Sequence, residues 1–246
     1  MKVTTLPADH VDSEFWFPGR WVGGIALIIA PLLFLSGMLL RARFHFFFPQ
    51  QLEAFNKFPG LIITSYNLFV IGNIFLWPAI LTLARLIGKR KNQLAIWGGV
   101  FVMFGLFART FQAGINHLAF QLVRIEGLDG ATRIIADSYG AFNIIATLNG
   151  TIMFGWILLA AGAFRSQVMG LFRAVALALM AGLMSGVLKG SSLYSIIAAT
   201  GLCIALIPLG IQVLQNGARP QTKTLWGWSL VTLSVVTALY FLGQAG

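Results

Sequence analysis

Seven long apolar runs, none holding an aspartate or glutamate, constrain this chain more than any other feature. They lie near 21–40, 61–84, 94–119, 141–164, 172–188, 191–214 and 225–242. A helix needs about 20 residues to cross a ~30 Å hydrocarbon layer, so each run reads as a membrane span. The runs are continuous rather than alternating, which excludes the strands of a membrane barrel. The fifth is the shortest, and Arg173 at its edge has to snorkel to the interface. The expected fold is an all-α integral membrane protein, a single domain of about seven transmembrane helices.

Composition agrees. Only 10% of the residues are charged, and the seven acids cannot clothe a soluble surface. The net charge of +10 does not point to nucleic acid, because the basic residues stand singly between apolar runs. Arg85, Lys89, Arg90 and Lys91 form the one cluster, where a loop is expected. With seven spans, one side of the membrane collects ten Lys and Arg and the other six, with Arg109 inside a span. The positive-inside rule then puts residues 1–20 in the cytoplasm as a short lead and the C-terminus outside, in a bacterial-type cytoplasmic membrane. The first run is not a cleavable signal, because its flank EFWFPGRW is acidic and aromatic.

Two external segments exceed a turn. RARFHFFFPQQLEAFNKFPG (41–60) mixes aromatic and charged residues, as a segment lying along the membrane surface would. LVRIEGLDGATRIIADSYG (122–140) carries Glu126, Asp129 and Asp137, and its tail from Ala131 suits an early turn of the fourth helix. The spacing Gly182-x-x-x-Gly186-x-x-x-Gly190 suits close helix packing on the fifth span.

The chemistry lies in FARTFQAGINHLAF, residues 107–120. At ~100° per residue, Arg109, Gln112, Asn116 and His117 share one arc of the third span. Tyr66, Asn67 and Asn73 of the second span, and Asn143 and Thr147 of the fourth, lie at similar depth. An outward-opening polar pocket among these three helices keeps all of them from lipid. A mid-membrane arginine costs at least ~2.5–3.5 kcal/mol and therefore has a partner. Asp137 reaching down from the fourth helix, backbone and amide oxygens, or an external anion are the candidates.

Several classes are excluded. An ion-coupled carrier needs a carboxylate at midplane, an aspartyl protease needs two, a zincin needs HExxH and a retinal protein needs a lysine in its last span; none is present. No Walker loop occurs, the lone Cys203 offers neither disulfide nor metal cluster, and no motif calls for a cofactor. The expectation is a protein that binds or translocates an anionic or amphipathic small molecule or lipid. Its partners are membrane lipids, with a protein partner or a second copy of the chain as a further expectation. Arg109 would hold the anion, Gln112, Asn116 and Asn143 would orient it, and 41–60 would gate the pocket. The alternative is an enzyme at the outer leaflet, with His117 as general base oriented by Asp137.

Overall fold

A backbone removed from water must satisfy its own N–H and C=O groups, and for continuous apolar runs the helix does so within one segment. The computed structural model describes residues 16–138, 144–183, 186–216 and 222–244, and no strand occurs among them. The helices are α1 (Arg20–Leu40), α2 (Phe48–Lys57), α3 (Pro59–Gly88), α4 (Asn92–Ser138), α5 (Ile144–Thr147), α6 (Asn149–Arg165), α7 (Leu171–Ala178), α8 (Leu193–Gln215) and α9 (Thr222–Gln244). Five of the described helices are long and apolar enough to cross a membrane: α1, α3, α4, α8, and Trp226–Gly243 within α9. The fold is all-helical and compatible with a multi-pass membrane bundle.

The other two expected spans take different forms. The described part of run 141–164, from Ile144, forms α5 and the 17-residue α6, separated at Leu148. Polar side chains compete for backbone groups there: Thr147 Oγ1 donates to Ile144 O, and Thr151 Oγ1 contacts Leu148 O and Phe101 O. Run 172–188 gives the 8-residue α7 and a 3₁₀ turn, Leu179–Gly182, after which the helix stops. The spacing of Gly182, Gly186 and Gly190 therefore does not make a helical packing face. Gly190 meets the 41–60 segment instead, where a Cβ would come within 2.9 Å of Phe46 Cα.

Segment 122–140 is also more regular than a loop. α4 continues to Glu126, breaks at Gly127 (φ 73°) and resumes to Ser138. The 35 residues before the break measure about 50 Å, more than a hydrocarbon layer, so α4 outruns the membrane.

Glycines set the tightest crossing. A Cβ at Gly37 of α1 would lie 2.7 Å from Phe69 N, and one at Gly72 of α3 would lie 2.7 Å from Phe34 N. Each helix thus presses a glycine into the other's backbone. The contact holds the end of α1, with Arg41, against Tyr66 and Phe69 of α3. α2 lies across the same end of the bundle with Gln51, Leu52, Ala54 and Phe55 buried, and Phe55 stacks on Phe120 at 4.7 Å. Phe47 and Phe58 stay exposed.

The chain divides into two units, one ending at Leu214 and one beginning at Gln215. In the second, every described side chain of α9 is exposed, with Trp226 and Trp228 near one end and Tyr240 near the other.

Candidate functional site

Arg109 lies midway along α4 before its break, 4% exposed, on the face that also carries Gln112 and Asn116. This face turns inward because the rest of α4 is apolar enough to meet lipid. What it meets inside is the end of the broken fifth run. Arg109 Nη2 donates to Leu183 O at 2.9 Å, just past the 3₁₀ turn, and the guanidinium lies 5.5 Å from the Phe34 ring centre. Asn116 Oδ1 accepts the Leu188 N–H at 2.7 Å. Leu188 is fully buried and left-handed (φ 49°), a conformation that a leucine keeps only when its surroundings impose it. Tyr66 extends the same arrangement, its hydroxyl 3.2 Å from both Lys189 O and Gln51 Oε1. Gly190 N donates to Phe46 O at 2.9 Å.

These bonds trace the path of the broken segment. At one end of the bundle, Arg90 Nη1 donates to Ser166 O, five residues before α7 begins. At the other end Gly190 meets Phe46, beyond the end of α1. Residues 171–183 are thus a half-helix ending in a 3₁₀ turn, and the described residues 186–190 are non-helical, with side chains of α3 and α4 bonding the backbone of Leu183, Leu188 and Lys189. Non-helical backbone at such depth is sustained where protein or a cavity surrounds it.

A cavity of about 280 Å³ opens beside this segment. Arg41, Tyr66, Arg109, Gln112, Asn116, Lys189, Ser192 and Ser195 supply its polar wall, and Met38, Phe46, Phe69, Val70 and Leu183 much of its apolar wall. Three of the lining residues are cationic and none is acidic. Arg41 is 3% exposed, with its guanidinium 4.6 Å from the Tyr66 ring centre and 4.9 Å from that of Phe69. Its Nη1 lies 3.4 Å from Ser65 Oγ, and its buried Nε has no hydrogen-bond partner among the described residues.

The sequence-derived candidates separate into three sets. Arg109, Gln112, Asn116 and Tyr66 line the cavity together. Asn73 is buried but does not line it, and donates to Leu106 O and Thr110 Oγ1 at 3.1 Å each. Asn67, His117 and Thr147 are exposed and lie off the cavity. Asn143 falls outside the described residues. Of the candidate partners of Arg109, Asp137 is exposed and does not pair with it, while a backbone oxygen does, the Leu183 carbonyl. No hydrogen bond joins the exposed His117 to Asp137, and no cluster of three His, Cys, Asp or Glu occurs among the described residues.

The pocket is also walled differently from the expectation. The end of α1, Leu183, Gly186, Lys189, Gly190 and the start of α8 line it, and no described residue of the fourth span does; Asn149 there accepts from Gln112 Nε2 at 3.0 Å. Sequence reasoning missed Arg41, Lys189, Ser192 and Ser195. An arginine or lysine just past an apolar run reads as an interfacial anchor, so only the glycines and serines of 182–195 signalled an irregular crossing.

Compared with protein-family models, curated proteins and solved structures, the chain finds no match. Fold and site thus define it by class: an all-helical bundle with several candidate membrane spans and a cavity lined by three cations.

Proposed function

We propose that the protein is a multi-pass protein of the cytoplasmic membrane that binds, or carries across it, an anionic amphiphile. One observation carries the reading: three cations and no carboxylate line a single cavity that also has an apolar wall. Cations withdrawn from water are strongly unfavourable without compensation. The aromatic rings and carbonyls around Arg41 and Arg109 compensate them in part, and an anion completes the balance. The apolar wall suits the hydrocarbon part of the same molecule.

In this proposal the chain crosses seven times, through α1, α3, α4, α6, the 171–190 segment, α8 and α9. The course of 171–190 and the ten-to-six division of basic residues support an N-terminus inside and a C-terminus outside. Broken crossings beside a central cavity are a recurrent way of building carrier sites, which favours translocation over storage.

Native mass spectrometry of the full-length protein in mild detergent tests the binding. An anionic lipid or metabolite should co-purify and be lost from Arg109→Leu. Protein that is bare in both forms would contradict the proposal. For topology, a reporter fused after Gly246 should be active outside and one inserted at Lys91 inside. Both on one side would end the seven-crossing arrangement.

A further inference from the structure

Gly37 and Arg41 stand one turn apart in α1 and at its end, so the crossing that presses Gly37 onto α3 also delivers Arg41 to Ser65, Tyr66 and Phe69. There the guanidinium is packed rather than bonded. The Tyr66 and Phe69 ring centres lie 4.6 and 4.9 Å from it. Of its nitrogens only Nη1 meets an acceptor, Ser65 Oγ at 3.4 Å, the outer limit of a hydrogen bond. Ser65 spends its own proton on Gly37 O at 2.6 Å, so it faces Arg41 only as an acceptor. The end of the α1 dipole favours a cation here, yet no carbonyl or carboxylate among the described residues accepts from this side chain. A guanidinium with five N–H donors is thus 3% exposed, at the cavity wall, with most of its donors unspent.

Arg109 is placed otherwise. Its Nη2 makes a well-formed bond to Leu183 O at 2.9 Å and holds the chain just past the 3₁₀ turn. A series of ring contacts links the two arginines: Arg41 to Phe69, Phe69 to Phe34 at 4.2 Å between centres, and Phe34 to Arg109 at 5.5 Å. Phe34 is fully buried, which keeps the two cations at fixed and separate places. Apolar surface adjoins the first of them. Met38 lies one turn before Arg41 on α1, and it lines the cavity together with Phe69 and Val70 of α3.

We propose that Arg41 is the residue that grips the ligand's anionic group, an oxyanion of the carboxylate or phosphate kind, and that Arg109 serves to hold the cavity wall. The planar guanidinium matches such groups by paired N–H···O bonds, which neither ring supplies. The hydrocarbon part of the ligand then starts along Met38, Phe69 and Val70. The inference rests on the anion-pocket reading above and adds which cation makes the contact and where the headgroup lies. That oxyanion can belong to a single-chain acid or to a phospholipid.

Titration calorimetry on the full-length protein in neutral detergent tests it, with octanoate, dihexanoyl phosphatidylglycerol and dihexanoyl phosphatidylcholine as probes. Removing a charge-assisted donor weakens binding about tenfold or more. Arg41→Gln should loosen the anionic probes by that factor and change the weaker binding of phosphatidylcholine little. Hydrogen exchange of residues 186–190 separates the two arginines: protection there should persist in Arg41→Gln and fall together with affinity in Arg109→Leu. Arg41→Lys keeps the charge without the fork and should bind between wild type and Arg41→Gln. It also carries the test if Arg41→Gln fails to fold, and wild-type affinity in it would then overturn the assignment. Octanoate bound as tightly as phosphatidylglycerol would identify a single-chain acid as a sufficient ligand, and binding of phosphatidylglycerol alone would identify the phospholipid. Wild-type affinity in Arg41→Gln, or lost protection of 186–190 in that variant, would overturn the role of Arg41 and leave the anion pocket standing. Protection unchanged in Arg109→Leu would overturn the division of roles. If neither anionic probe binds the wild type, pocket and anchor fall together.

Discussion

The bond from Leu188 N–H to Asn116 Oδ1 is the most exposed point of this account, because it joins the broken segment to α4 at a residue in an unfavourable conformation. Asn116→Leu keeps the branched shape, adds volume and removes the acceptor. A buried N–H left without a partner costs about 1–3 kcal/mol. The left-handed leucine carries its strain in the wild type as well, so that term cancels, and relaxation of the segment once the bond is lost lowers the cost. The extra apolar contact of the new side chain offsets a further part, leaving a net loss of about 1–2 kcal/mol. For a chain of this size that corresponds to a fall in Tm of roughly 3–6 °C. Thermal unfolding of the purified protein in detergent measures it, and hydrogen exchange reports the Leu188 amide directly, which should lose protection before the bundle opens. A Tm within about a degree of wild type, with the amide still protected, would show that residues 183–190 are not held from α4.

Two further outcomes follow. A double-mutant cycle on Arg109→Leu and Asp137→Asn should show additive stabilities within about 0.5 kcal/mol, since no ion pair joins them; a coupling of several kcal/mol would restore that pair. Gly72→Val should lower Tm by several degrees and broaden size-exclusion profiles, because its Cβ would lie 2.7 Å from the Phe34 backbone, and unchanged behaviour would remove the glycine crossing.

How far the sequence was legible depends on where each polar group stands. Arg109, Gln112 and Asn116 were readable as one inward face because an apolar helix leaves such residues no other place. Tyr66 was readable by depth, but depth does not fix rotation. Asn67, one residue on and about 100° round the helix, is exposed. His117 fails for the same reason beside the buried Asn116. The partner of Arg109 stayed open among Asp137, backbone and amide oxygens and an external anion, and a backbone carbonyl supplies one bond. That carbonyl exists only because run 172–188 stops being helical at Gly182, and an apolar run reads alike whether helical or broken. The helical character of the fold survived these errors, since it follows from run length and hydropathy alone.

The central claim is that the cavity beside Arg109 holds an anionic amphiphile, and a single cysteine reads it most directly. Ala113 lines that cavity one residue beyond Gln112, and Cys203 is the only native cysteine. In Cys203→Ala, Ala113→Cys protein reconstituted in nanodiscs, the labelling rate with a small water-soluble thiol reagent reports access to the cavity. Adding a short-chain anionic lipid should slow labelling at least about fivefold at saturation, while the zwitterionic lipid of the same chain length should not. Equal protection by both lipids, or by neither, would contradict the account.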